Sequence, residues 1–419
     1  MTHEGTGTDT GARAGSGTRS GTGTEAGAAG AFTPLTGFTG GALPYSGGNP
    51  YADYRAADGA RADLAGLVDL ADRRLGAGVM AAGDEFFAER ENLLLRAPAA
   101  FDPERFGHKG KVMDGWETRR RRGPSAHLPH PQPGDHDWAL VRLGAPGVIR
   151  AVVVDTAHFR GNHPQAVSVD AVAADPTAAP EELLDPAVRW TELIGHAPVG
   201  GHAENVFAVH HGRRFTHLRL RQHPDGGVAR LRVLGEVVPD PAWLAALGTF
   251  DLAALENGGT VLDASDRFYS PPENTLLPGR PQRMDEAWET RRRRDTGHDW
   301  IGYRLAEQGE IRAVEIDTGC LKGNAAGWAE LWVKDAPDDG NGDNAGNGDN
   351  SAAEGSWTRL LDRVRLQPDT VHRFLTAPVP ATHARLDIFP DGGVARLRLH
   401  GSLTEQGARR LAARHTALS

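Results

Sequence analysis

Two matched stretches carry most of the polar side chains able to do chemistry. Gly115-Trp116-Glu117-Thr118-Arg119-Arg120-Arg121-Arg122 returns almost unchanged as Ala287-Trp288-Glu289-Thr290-Arg291-Arg292-Arg293-Arg294. If the Arg quartets are extended, Arg119 and Arg121 face one way and Arg120 and Arg122 the other. Two guanidiniums on one face can grip a carboxylate through paired hydrogen bonds. Arg119, Arg121, Arg291 and Arg293 are therefore candidate anion-binding residues, against the plainer reading of a solvated strand with ion pairs. Glu117 and Glu289 recur, and so do Asp84 and Asp266, each just ahead of an aromatic pair. A carboxylate beside arginine is either a structural ion pair or a proton-transfer group. His136-Asp137-Trp138 and His298-Asp299-Trp300 add two imidazoles suited to general acid or base work, although neighbouring residues of a strand point to opposite faces. Asn162 and Asn324 follow Asp155-Thr156 and Asp317-Thr318 in matched loops. His158 and His163 occur in the first loop alone, and two histidines five apart with no third ligand are a weak metal signal.

These residues sit in a duplicated frame. The match begins near Asp69 and Asp251 and continues in register through Gly76 and Gly258, Asp84 and Asp266, and Asn92 and Asn274. A long fixed period of this kind marks an internal repeat. Alternation over Ile311 to Thr318 reads as a half-buried strand, and Ile149 to Thr156 is its partner copy. Pro224-Asp225-Gly226-Gly227 and Pro390-Asp391-Gly392-Gly393 lie between alternating segments and read as hairpin turns that need positive φ. Apolar spacing from Arg61 to Leu75 predicts a short helix, and Thr404 to Leu418 a second, amphipathic one. Short strands, frequent turns and no βαβ alternation argue for an all-β protein, a sandwich or jelly roll used twice. The expected organisation is a disordered Gly/Thr/Ala-rich tail over 1–48, a lead-in over 49–68, a first repeat over 69–239, a linker over 240–250, a second repeat over 251–403 and a tail over 404–419. The Gly/Asn/Asp run from Asp335 to Ser356 reads as a flexible loop.

Composition narrows the function classes. A net charge of −9 over 419 residues disfavours a nucleic-acid partner, so the Arg quartets are local features. No apolar run reaches membrane-spanning length, and the first residues lack the pattern of a signal peptide. A single cysteine, Cys320, permits no intramolecular disulfide and fits a reducing, cytoplasmic setting. Nucleophile elbow, P-loop, dinucleotide and His-Glu-x-x-His signatures are all missing.

The residues also match a known family. Ala82-Gly83-Asp84-Glu85-Phe86-Phe87-Ala88, Lys111 through Arg120, His136-Asp137-Trp138, Asp155-Thr156 through Gly161-Asn162, and their second copies resemble the allantoicases (allantoate amidinohydrolases). The resemblance covers Asp69 to about Leu403. It implies two tandem jelly-roll domains of the galactose-binding type, and hydrolysis of allantoate to ureidoglycolate and urea in purine degradation. It also implies a homo-oligomer. No cofactor is called for, with a divalent metal as the alternative. His136, His298, Glu117, Glu289, Asp84 and Asp266 are then the candidate proton carriers. Arg119, Arg121, Arg291 and Arg293 would hold the substrate carboxylate, and Asn162 or Asn324 a ureido carbonyl. The competing reading is a non-catalytic jelly roll that binds a small molecule or carbohydrate.

Overall fold

A computed structural model describes residues 31–62, 64–336 and 357–419. In the first repeat the strands are β1 (Phe32–Pro34), β2 (Gly78–Ala82), β3 (Asp137–Asp155), β4 (Ala166–Val172), β5 (Thr191–Pro198), β6 (Glu204–Val209), β7 (Arg214–His223) and β8 (Arg230–Val237). The second repeat has β9 (Thr260–Ala264), β10 (Asp299–Asp317), β11 (Trp328–Lys334), β12 (Thr358–Arg365), β13 (Val371–Phe389) and β14 (Arg396–Leu403).

One long strand organises each repeat. The N-terminal half of β3 pairs with β2 and β7, and β4 and β5 extend that layer outward from β7. Its C-terminal half pairs with β6 and β8 in the other layer, which β1 and Val68–Asp69 complete. β3 thus passes from one layer to the other and ties the sandwich together. β10 does the same, with β9 and the second half of β13 on one layer and the first half of β13 and β14 on the other. β13 corresponds to β6 and β7 fused into a single strand. The duplicated jelly roll expected from the repeats is what forms.

Beside smaller satellites such as that around Phe159, most buried apolar residues of both repeats belong to one connected cluster. Trp116 and Trp288 are fully buried within it. Their indole Nε1 atoms donate to the Asp84 and Asp266 carbonyls at 2.8 and 2.9 Å, so each Trp-Glu-Thr-Arg stretch is pinned to its Asp-aromatic loop. Trp288→Ala should cost about 3–5 kcal/mol through the cavity it opens; the midpoint of denaturant unfolding reads it, and an unchanged midpoint would mean that the pinning contributes little.

Three sequence expectations are corrected. The Pro-Asp-Gly-Gly turns do have positive φ, 144° at Gly226 and 119° at Gly392, but they do not close hairpins. β7 and β8 bind opposite halves of β3, so the turn carries the chain across the sandwich edge. There Gly227–Val228 pairs with Trp116–Glu117 instead. A Cβ at Gly227 would lie 2.0 Å from the Phe159 ring, which explains the second glycine. The helix expected over Arg61 to Leu75 is replaced by a short helix over Asp58–Ala62 and a single 3-10 turn over Arg73–Leu75. Gly66, at φ 83°, lies between them in a left-handed conformation that no helix continues through. The Asp69 carboxylate then takes the amides of Ala71 and Val233 at 3.1 and 3.0 Å and holds a strand end there. Finally, the last part of the tail expected to be disordered is ordered: Phe32, Thr33 and Pro34 pair with Val209, Ala208 and Phe207. Residues 1–30 and most of the Asp335 to Ser356 run lie outside the described residues.

The C-terminal helix Glu405–Leu418 is capped by Thr404, whose hydroxyl accepts from the Gly407 amide at 3.0 Å. It bridges the repeats, with Arg410 on Glu307 and Arg414 on Glu236 at 2.6 and 2.8 Å. No helix among the described residues is long and apolar enough to cross a membrane.

Candidate active site

The inter-layer turn builds the site. Gly226 O accepts the Thr118 amide at 2.9 Å, and the Asp225 carboxylate accepts the Arg121 amide at 2.7 Å. This stitches the Arg quartet along the turn and holds it extended. Beside it the 158–163 loop folds back, and Gly227 N donates to Asn162 O at 2.8 Å. Quartet, turn and loop surround a cleft of about 940 Å³, whose floor and rim include Glu117, Arg120, Arg122, Lys109, Lys111, His158, Asn162 and His163.

Glu117 is the carboxylate at the centre of this arrangement. Its Oε1 accepts from Asn162 Nδ2 at 2.9 Å. Burial raises its pKa above the usual glutamate range, and the Asn162 bond and the Arg120 charge only partly offset this. Burial also lowers the pKa of the His158 and His163 imidazoles, so both are neutral near pH 7.

Alternate arginines of the quartet have different partners, although Arg121 borders the cleft together with Arg120 and Arg122. Arg119 is tied to Asp84, which accepts its backbone amide at 2.6 Å and its Nε at 2.9 Å. Burial alone would raise the Asp84 pKa, but the Arg119 bonds outweigh it and hold the carboxyl below its usual range. Arg121 is tied to Asp137, with Nε and Nη2 at 3.0 and 2.6 Å from one oxygen. Arg291 and Asp266 repeat the first pair at 2.7 Å, and Arg293 and Asp299 the second at 3.0 Å. The guanidiniums of Arg119, Arg121, Arg291 and Arg293 are thus neutralised by protein carboxylates, and so are Asp84 and Asp266. Arg120 and Arg122 make no direct ion pair among the described residues, Arg120 acting on Glu117 and Asp225 only through space, and both line the cleft. Asp84, Asp137, Asp266 and Asp299 supply one carboxylate each to Arg119, Arg121, Arg291 and Arg293.

The histidines of the His-Asp-Trp triplets stand elsewhere. His136 bonds Gly134 O at 2.9 Å and lies beside His223, with ring centroids 5.5 Å apart. His298 stacks on Phe389 at 4.6 Å and contacts Asp387 at 3.1 Å. Neither lines the cleft. His136→Ala and His298→Ala should each leave kcat within about twofold, less than 0.5 kcal/mol in barrier; a tenfold loss in steady-state assays would return them to the reaction.

Residues 68–238 and 250–404 each match the family model described as the Allantoicase repeat. The chain belongs to the allantoicase family. A probable allantoicase of Streptomyces coelicolor is 64% identical over 92% of this chain and 98% of that protein. One of Nocardia farcinica is 50% identical over 80% of this chain and 94% of its own length. Among solved structures, the allantoicase of Saccharomyces cerevisiae is 29% identical, covers 80% of this chain and 93% of its own, and superposes with a TM-score of 0.65.

The two allantoicase repeats are unequal where the cleft lies. Asn324, the counterpart of Asn162, donates to Met284 Sδ at 3.2 Å and not to Glu289. His158 and Cys320 share a left-handed backbone, φ 67° and 66°, so the loop geometry survives while the side chain changes. Among the described residues no three His, Cys, Asp or Glu side chains are grouped to hold a metal ion. His158 and His163 both line the cleft.

Proposed function

We propose that this allantoicase hydrolyses allantoate to ureidoglycolate and urea in the first-repeat cleft, with Glu117 as the proton carrier and Arg120 as the carboxylate anchor. The observation that carries the assignment is the juxtaposition of a half-buried carboxylate of raised pKa, Asn162 and an arginine that makes no direct ion pair among the described residues. Allantoate bears one carboxylate and two ureido groups on a single carbon. Arg120, with Arg122 on the rim, offers the carboxylate a cation. Asn162 has one amide hydrogen on Glu117 and its remaining donor and acceptor available for a ureido group.

The chemistry then needs a single carboxylate acting twice. Glu117 takes the N–H proton of the ureido group that stays. That nitrogen's electron pair forms a C=N bond as the C–N bond to the other ureido group breaks, and Glu117 returns the proton to the departing nitrogen as urea leaves. Water adds to the C=N carbon in the reverse sense: Glu117 removes a water proton and delivers it to the imine nitrogen, giving ureidoglycolate. Proton and charge balance at each step, and Glu117 ends as it began. A raised pKa suits a group that must both take and give a proton near neutrality.

The test is urea release from allantoate by the full-length protein, wild type against Glu117→Gln and Arg120→Ala. A binding module of the same fold releases none. Retention of full activity by both variants would remove the reaction from this cleft.

A further inference from the structure

Residues 31–57 precede the first family-matched residue, 68, yet they are built into the cleft. Gly40 and Gly41 line it. The segment is held along the first repeat by bonds made at successive points. Gly201 N donates to Gly40 O and Ala42 N to Arg160 O, both at 2.9 Å, and Glu204 N donates to Arg55 O at 3.0 Å. Tyr51 and Tyr54 donate to Ala99 O at 2.7 Å and to the Asp155 carboxylate at 2.9 Å.

Its main anchor is Arg160, on the same loop as Asn162 and His163. The guanidinium donates to Leu43 O at 2.7 Å and to Asp53 Oδ1 at 2.6 Å, and reaches Pro50 O at 3.4 Å. These contacts commit Arg160 to the segment and take it out of the pool of substrate cations, although it too borders the cleft. Arg160, first through its hydrogen bonds, holds the Asp53 carboxyl down at about 2. The same segment clamps His158: Tyr51 packs edge-on against the imidazole at 4.6 Å, opposite the stacked Phe101 at 5.3 Å. His158 N donates to His202 Nδ1 at 2.9 Å. In the second repeat Cys320 N donates to Asp369 at 2.8 Å in the same geometry, but Lys322 stands where Arg160 would be. The backbone design is duplicated and the anchoring of the strap is not.

We propose that residues 40–55 are a fixed wall of the first-repeat active site, and that Asp53–Arg160 is a positioning ion pair that sets the 158–163 loop so that Asn162 and His163 meet substrate. This rests on the assignment of catalysis to that cleft. Two consequences separate the wall from a merely stabilising strap. Loosening the anchor misplaces Asn162, and with it Glu117, which lowers kcat; a misplacement of about 1 Å costs on the order of 100-fold. Adding bulk to the wall instead narrows the cleft. A Cβ on Gly41 would stand 3.2 Å from Arg160 O and 3.9 Å from His163 Cε1, and its backbone is not left-handed, so a side chain there needs Arg160 O to give by a few tenths of an ångström.

The experiment is steady-state urea release from allantoate by full-length Asp53→Asn, Asp53→Glu and Gly41→Val, with denaturant unfolding of each and Glu117→Gln alongside. The expected result is a kcat for Asp53→Asn reduced about 10- to 100-fold and restored to within a few-fold by Asp53→Glu. Gly41→Val should raise KM by a larger factor than it lowers kcat, with the unfolding midpoint read alongside. Wild-type kcat and KM in both Asp53→Asn and Gly41→Val, with Glu117→Gln inactive, would overturn the wall while leaving the site assignment in place. If Asp53→Asn does not fold, an unchanged KM in Gly41→Val overturns it alone. Full activity in Glu117→Gln is the separate result that removes the assignment on which the proposal rests.

Discussion

Glu117→Gln should lower kcat by about 10²- to 10⁴-fold, the usual worth of a positioned general base, with KM changed little. The substitution is nearly isosteric, and its amide oxygen can still accept from Asn162 Nδ2 in place of the Oε1 bond of 2.9 Å. What disappears is the ability to take a proton from the retained ureido nitrogen and later from water. The pH profile gives an independent check. The Glu117 pKa is raised by burial, and the reaction begins from the ionised form. Activity is therefore present above the folded pKa and lost as pH falls through it, so the acid limb of kcat/KM should lie above the ordinary glutamate range of about 4.3. A limb at or below that range would mean that the group titrating in the free enzyme is not a buried Glu117. Glu289→Gln is the internal control. Its counterpart asparagine is turned to Met284, so its effect on kcat should be much smaller. Equal losses at Glu117 and Glu289 would place the reacting centre across both repeats and not within the first.

The architecture was readable because it is written twice. Matched turns, matched Asp-Thr pairs and the buried Trp116 and Trp288 define one sandwich plan, and periodicity alone shows alternating strands. Layer assignment was harder. β3 and β10 each run through both layers, and nothing local distinguishes a strand that ends from one that crosses. The Pro-Asp-Gly-Gly segments therefore read as hairpins, although the strands on either side pair with opposite halves of β3. In the site, alternation grouped Arg119 with Arg121, the two that meet protein carboxylates. It could not say which face meets protein carboxylates, since Asp84 and Asp137 come from different loops and reach Arg119 and Arg121 only after folding. Glu117 and Asn162, 45 residues apart in sequence, were both selected as recurring polar residues, and the fold joins them. His136 and His298 recur just as faithfully, but they sit beside His223 and Phe389, outside the cleft lining. Recurrence in a duplicated chain thus marks what the fold needs as readily as what the reaction needs. The strap was least legible of all: it has no second copy, and its contacts depend on Arg160 lying inside a loop whose fold the sequence does not reveal.

Arg120→Ala should raise KM for allantoate by about 10- to 100-fold, the loss of one or two charge-assisted hydrogen bonds at about 1.5–3 kcal/mol in total. Among the arginines of the first quartet this effect should be specific to those that make no direct ion pair. Arg119→Ala leaves the Asp84 carboxylate without the guanidinium that holds it ionised, so its first consequence is on stability. Arg120→Lys distinguishes charge from shape. Lysine keeps the cation and loses the planar fork, so a KM between those of wild type and alanine is expected if the substrate carboxylate is gripped by two parallel bonds. A second readout ties Arg120 to Glu117. The Arg120 charge lowers the Glu117 pKa against the rise caused by burial, so removing it should move the acid limb of kcat/KM to higher pH, while Arg120→Lys should leave the limb nearly where it was. An altered KM with an unmoved limb would place Arg120 on the substrate but away from the base. An unmoved limb and an unaltered KM together would take Arg120 out of the reaction and leave Arg122, Lys109 and Lys111, on the same rim, as the cations facing the substrate.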